Sequence, residues 1–111
     1  MRLLPTVITA SLLLLSVPAR ATSGNELMSW LPDYEKSSGS WGGGMFMGYV
    51  TGVAEVGEAI FYCSPKNATH GQTAAIVAKY LRNNPEKWNL PAGSLIISAL
   101  QSAYPPCPSK K

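Results

Sequence analysis

Residues 63–107 read CSPKNATHGQTAAIVAKYLRNNPEKWNLPAGSLIISALQSAYPPC, and the fold turns on this stretch. It opens and closes on Cys63 and Cys107, the only two cysteines of the 111-residue chain. If the two sulfurs pair, they close a loop of about 45 residues, and loop-closure entropy then contributes up to ~4 kcal/mol. Inside the loop, Ser64 to Ala68 reads as a turn. Thr69 followed by Gln72 forms a capping box, and Ile76, Val77, Tyr80 and Leu81 supply a buried helical face. Lys79 and Arg82 fall on the outer side, and Asn84-Pro85 ends the helix. Asn89 is positioned to cap a last helix with Pro91 in its first turn, where a missing N–H costs nothing. Ala92, Leu95, Ile96, Ala99, Leu100 and Ala103 then keep helical spacing until Pro105-Pro106.

Upstream, residues 44–63 read GMFMGYVTGVAEVGEAIFYC. Phe46, Tyr49, Val50, Val53, Val56 and Ile60 recur at helical spacing, with Thr51, Glu55 and Glu58 on the opposite side. Gly44, Gly48 and Gly52 lie four apart, one above another on the helix surface. An interior glycine costs about 1 kcal/mol relative to alanine. Three in register therefore suggest close backbone approach by another helix. Two charged residues within a short apolar run argue against a membrane dimer motif, and leave packing inside a soluble domain or a homodimer contact. Before this helix, residues 35–44 (EKSSGSWGGG) have loop composition with Trp41 in the middle. A large ring there is either tucked onto the core or offered to a partner. Earlier still, Ser23 and Glu26 fit a capping box, and Leu27, Met28, Trp30 and Leu31 form an apolar face. Pro32 is expected to stop that helix after about two turns.

The chain begins as an exported protein does. Met1-Arg2 is a short basic start, residues 3–17 are apolar, and Ala19-Arg20-Ala21 is a small-x-small cleavage pattern. A signal peptide over residues 1–21 leaves 90 residues, enough for one domain (22–111), with no membrane span after cleavage. Export also favours a disulfide for the two cysteines. Arg2 and Arg20 leave with the leader, so seven basic residues face six acidic ones, a net of +1. That balance excludes the positive footprint of a nucleic-acid binder. The reading is an all-α, small four-helix domain with one disulfide.

Catalytic chemistry finds no foothold. His70 is the only histidine, and a general base needs a nucleophile and an orienting partner. Two cysteines 44 positions apart and one histidine do not make a zinc site. Gly42-Gly43-Gly44 lacks the Lys-Ser/Thr and preceding strand of a phosphate loop, and Asn67-Ala68-Thr69 is a glycosylation sequon of the kind that recurs by chance. The residues therefore describe an exported, helical, non-enzymatic protein that acts by binding, with no cofactor.

Five pieces carry a resemblance: GYVTGVAE (48–55), CSP (63–65), THGQ (69–72), VAKYLRNNPE (77–86) and SALQSAYPPC (98–107). In this order they resemble the Rap/Tai family of immunity proteins, over about Asn25 to Cys107. Members protect bacteria from peptidoglycan amidase effectors delivered by type VI secretion. The resemblance implies an all-helical periplasmic protein, frequent homodimers, and inhibition by occluding the cleft of a Cys-His amidase. Where the family pattern often has a cysteine before Gly-Tyr, this chain has Met47. The loop expected to enter the cleft is Ser37 to Gly43, with Trp41 as anchor and Tyr34, Ser38 and Ser40 beside it. The rival reading is an HdeA-like periplasmic acid-stress chaperone, also small, helical and held by one disulfide. With one histidine and six carboxylates, an acid trigger would be weak.

Overall fold

The computed structural model describes residues 20–37 and 39–109. Within them run four α-helices: α1 (Gly24–Lys36), α2 (Trp41–Gly57), α3 (His70–Asn83) and α4 (Ala92–Ala103). A 3-10 turn, Pro85–Lys87, lies between α3 and α4, and no strand forms among the described residues. The all-α, four-helix reading holds, and Cys63 and Cys107 are bridged with their Cα atoms 4.9 Å apart. Most of the expected leader, and Ser38, lie outside the described residues.

One core serves all four helices. Leu27 and Leu31 enter it from α1, Phe46, Val50 and Ala54 from α2, Ala74, Val77 and Leu81 from α3, and Leu95, Ile96, Ala99 and Leu100 from α4. Each set follows the three-to-four spacing that puts side chains on one helical face. Ala103, expected to close the α4 face, is exposed instead. The α3 capping box forms as read: the Thr69 hydroxyl accepts from the Gln72 N–H at 3.1 Å, and the Gln72 side-chain Oε1 accepts from the Thr69 N–H at 2.8 Å.

The other two expected caps do not form, and a single arrangement explains both. The amides of Gly24 and Asn25 donate to the carbonyls of Leu90 and Trp88, at 3.0 and 2.8 Å, and the Ala92 amide donates to the Thr22 carbonyl at 2.8 Å. The first turns of α1 and α4 thus satisfy one another through the backbone, which leaves no work for the Ser23 and Asn89 side chains. This contact requires a glycine: a Cβ at Gly24 would stand 2.9 Å from the Trp88 Cα. Nor does Pro32 end α1, which runs four residues beyond it. Pro32 is exposed, so water can serve the Met28 carbonyl that the ring leaves unbonded, while buried Leu27 and Leu31 hold the helix to the core. Tertiary packing overrides the local breaker.

In α2 the expected buried face continues too far. Val56 and Ile60 are 74% and 69% exposed. The helix stops at Gly57, the chain reverses through Ala59 at a φ of 66°, and Tyr62 enters the core in place of Ile60. The glycine stripe also behaves differently from the close-packing reading. A Cβ at Gly44, Gly48 or Gly52 would meet nothing within 4 Å. No helix among the described residues approaches them.

Tyr62 is 3% exposed, donates its hydroxyl to the Ala54 carbonyl and stacks on Tyr104 at 6.1 Å. Burial, then the charge of Glu58, pushes its hydroxyl up to about 12. The fold therefore favours the neutral phenol. Its contribution is complete below pH ~10, where the unfolded residue begins to ionise, and is lost as the pH rises to about 12. Urea titrations of the protein and of Tyr62→Phe should diverge in slope across this window, the protein losing roughly 2–3 kcal/mol more than the variant; parallel curves would contradict the assignment. A second expectation concerns the stripe. Measured on protein dilute enough to be monomeric, Gly48→Ala and Gly52→Ala should each raise stability by about 0.5–1 kcal/mol, because the methyl has open space and the helix gains propensity. Destabilisation in the same denaturation assay would show that something in the monomer fills that space.

Candidate functional site

The corner between α1 and α2 is short and tightly bonded. Ser40 caps α2: its hydroxyl accepts from the Gly43 N–H at 3.0 Å and donates to the Ser37 carbonyl at 2.8 Å. The Gly44 amide bonds back to the Ser40 carbonyl at 2.9 Å, and the Ser37 amide to the Asp33 carbonyl at 2.9 Å. Gly42 lies against α1, where an added Cβ would stand 2.9 Å from the Asp33 Cβ. The stretch read as a flexible loop over 35–44 is thus mostly helix, with residues 37–40 alone forming the connection. Flexible composition here serves close helix approach and capping.

That corner holds Trp41 at the first position of α2, 74% exposed. Trp30 meets it edge-on, with ring centroids 6.4 Å apart at 86°, and the Tyr49 ring lies 6.3 Å from that of Trp30. Edge contacts of this kind hold large rings in place without burying them. Of the residues expected at this surface, Trp41 and Ser40 come together, Ser40 acting as the cap that aims the helix. Tyr34 turns inward and stacks on Phe46 at 5.1 Å. Ser38 lies outside the described residues.

Beyond Tyr49 the surface runs into an open groove of about 860 Å³ between α2 and α4. Gly48, Gly52 and Gly93 contribute no side chains to it, while Val53, Val56, Phe61 and Ile97 give it apolar sides. None of its lining residues is charged. Phe61, 52% exposed, extends the groove toward the exposed Ile60. Patches of this kind mark interaction surfaces on soluble proteins. The spacing rules hid Val56 and Ile60 by assigning them to the core, and gave Phe61 no place at all. Gly57 was the available signal, a stop residue that could have ended the helix three positions earlier.

The polar residues offer less. His70 Nε2 lies 3.7 Å from the Glu55 carboxylate, both well exposed, so the pair is a weak surface contact. Glu35 and Arg82 join α1 to α3 at the surface. Among the described residues, no group of three or more His, Cys, Asp or Glu side chains gathers as for a metal ion, and no cysteine is free. No helix among them is long and apolar enough to cross a membrane.

What the geometry offers is therefore a surface for another macromolecule: exposed rings at one end of α2 and an uncharged groove along its length. Searches of curated proteins and of solved structures returned no match. The sequence model of the Rap1a immunity proteins, by contrast, matches residues 23–107, from the residue that pairs with the start of α4 to the second cysteine of the bridge. The chain thus belongs to the Rap1a immunity protein family.

Proposed function

We propose that this chain is a periplasmic immunity protein that neutralises a peptidoglycan amidase effector of type VI secretion by filling its active-site cleft. Family membership supports the immunity role, and the projecting Trp41 is the observation that carries the mode of binding. Tryptophan is enriched among the few interface residues that supply most of the binding energy. A ring held edge-on by Trp30 is already fixed before the partner arrives, so little side-chain freedom is lost on binding. The cap from Ser40 to the Gly43 N–H and the Ser37 carbonyl fixes the start of α2, so Trp41 is presented from a bonded helix end suited to entering a cleft and excluding its peptide substrate.

The groove between α2 and α4 is assigned to a second copy of the chain. Its uncharged lining and side-chain-free floor suit the close backbone approach that the glycine spacing suggests. An acid-triggered chaperone would instead need carboxylates whose protonation loosens the core. The charged contacts among the described residues, Glu35–Arg82 and Glu55–His70, both lie at the surface, which counts against that reading.

Inhibition of purified amidase effectors measures the first assignment. Trp41→Ala should weaken inhibition at least ~30-fold, the effect of losing an anchor worth about 2 kcal/mol, while the melting profile is unchanged. Inhibition equal to that of the parent protein would remove Trp41 from the interface. Sedimentation measures the second: Gly52→Glu, which places a charge in the groove, should convert a dimer to a folded monomer. A parent protein that sediments as a monomer at ~100 μM would contradict the assignment, since weak stable dimers populate at that concentration.

A further inference from the structure

The chain enters the described structure beside one end of the α2–α4 groove. The Thr22 carbonyl accepts from the Ala92 N–H at 2.8 Å, and Ser23 pairs with Pro91. Ala92 opens α4, and the next two residues, Gly93 and Ser94, line the groove. Contacts advance together along the two helices: Gly57 lies against the Ile97 side chain, and Gln101 Nε2 donates to the Phe61 carbonyl at 3.0 Å. Phe61 and Gln101 therefore mark one end of the groove. Gly48 and Gly93 mark the other, and Thr22 is fastened there.

What precedes Thr22 suits that groove in charge, polarity and length. Residues 3–17, LLPTVITASLLLLSV, carry no charge and include four consecutive leucines at 12–15. The groove lining is likewise uncharged, and the space above Gly48, Gly52 and Gly93 is open to side chains from outside. Residues 18–21 join the apolar segment to Thr22 and span at most ~13 Å, about the width of a helix, which brings residue 17 to the groove mouth. From Gly48 to Gly57 the floor rises ~13 Å, a length that residues 8–17 cover as a helix. Each leucine seated there removes apolar surface from water on both sides of the contact.

We propose that in the uncleaved chain residues 8–17 dock in the α2–α4 groove, an occupant from the same molecule that keeps this face from a second copy until the leader is removed. The short tether decides the competition. A segment joined through four residues presents itself at an effective concentration of about 1 mM, far above that of free chains in the micromolar range. The internal contact therefore outcompetes a second copy that covers a similar surface. Cleavage after Ala21 removes the occupant and opens the space above the glycine stripe in the mature domain. The dock rests on the groove and on the composition of residues 3–17; only its timing rests on the export proposed above.

Amide hydrogen exchange on the full 111-residue chain tests the dock in aqueous buffer, with no partner and no cleavage. Residues 8–17 should exchange at least ~10-fold more slowly than in Gly52→Glu, which puts a charge on the groove floor. The protection should be equal at ~2 and ~20 μM chain, as a contact within one molecule requires. Leu13→Glu, a change in the leader that leaves every described residue intact, should abolish the protection while buried Val77 and Leu81 in α3 stay protected. Leader amides that exchange alike in the parent and in Leu13→Glu would overturn the proposal, as would protection that grows with chain concentration. If Gly52→Glu also loses protection at Val77 and Leu81 it has unfolded, and Leu13→Glu alone decides. The cut is read separately, from the first residue of the exported chain: a leader still attached there overturns the timing alone.

Discussion

The bond between Cys63 and Cys107 is the constraint on which the rest of the structure depends. It encloses α3 and α4 in one loop and brings the end of α4 back to the end of α2. A domain of about 90 residues buries a modest core, and domains of that size run close to their stability limit. Closing a loop of about 45 residues restricts the unfolded chain by up to ~4 kcal/mol, a large share of the total. The bridge also has a local effect: Tyr62 is buried beside it, with Tyr104 stacked above, so the covalent link sets which side chains finish the core and which are turned outward.

Several features outside the core lower stability with no return within the monomer. Gly48 and Gly52 sit in an α-helix with open space above them, where alanine would be the better helix former. Ala59 holds a left-handed backbone. Val56, Ile60 and Trp41 expose large apolar surface. These positions lie along one helix and the turn that follows it. Proteins give up stability in this way where function requires a particular surface. In a member of an immunity protein family, whose work is to bind a toxin, that surface is the natural place for partner contacts.

Features set by local chemistry were legible in the sequence. The Thr69 capping box, the Asn84-Pro85 stop, the core face of α3, that of α4 as far as Leu100, and the pairing of the two cysteines appear as read. Features set by distant contacts were not. Ser23 looks like a cap until Leu90 and Trp88 supply carbonyls from the other end of the chain. Pro32 looks like a stop until the packing of Leu31 outweighs it. The glycine stripe signals a close neighbour by spacing, but spacing cannot say whether that neighbour belongs to the same chain. Trp41 could be placed in its segment but not on its face. Its exposure follows from the Gly42–Asp33 approach, which no local rule encodes.

Hydrogen-exchange footprinting of the oxidised protein, free and bound to an amidase effector of the kind proposed above, tests the central claim most directly. The account predicts that added protection centres on the α1–α2 corner and the first turns of α2, from Ser37 to Tyr49. Added protection confined to the opposite surface, around Asn67 to Lys79, would contradict it.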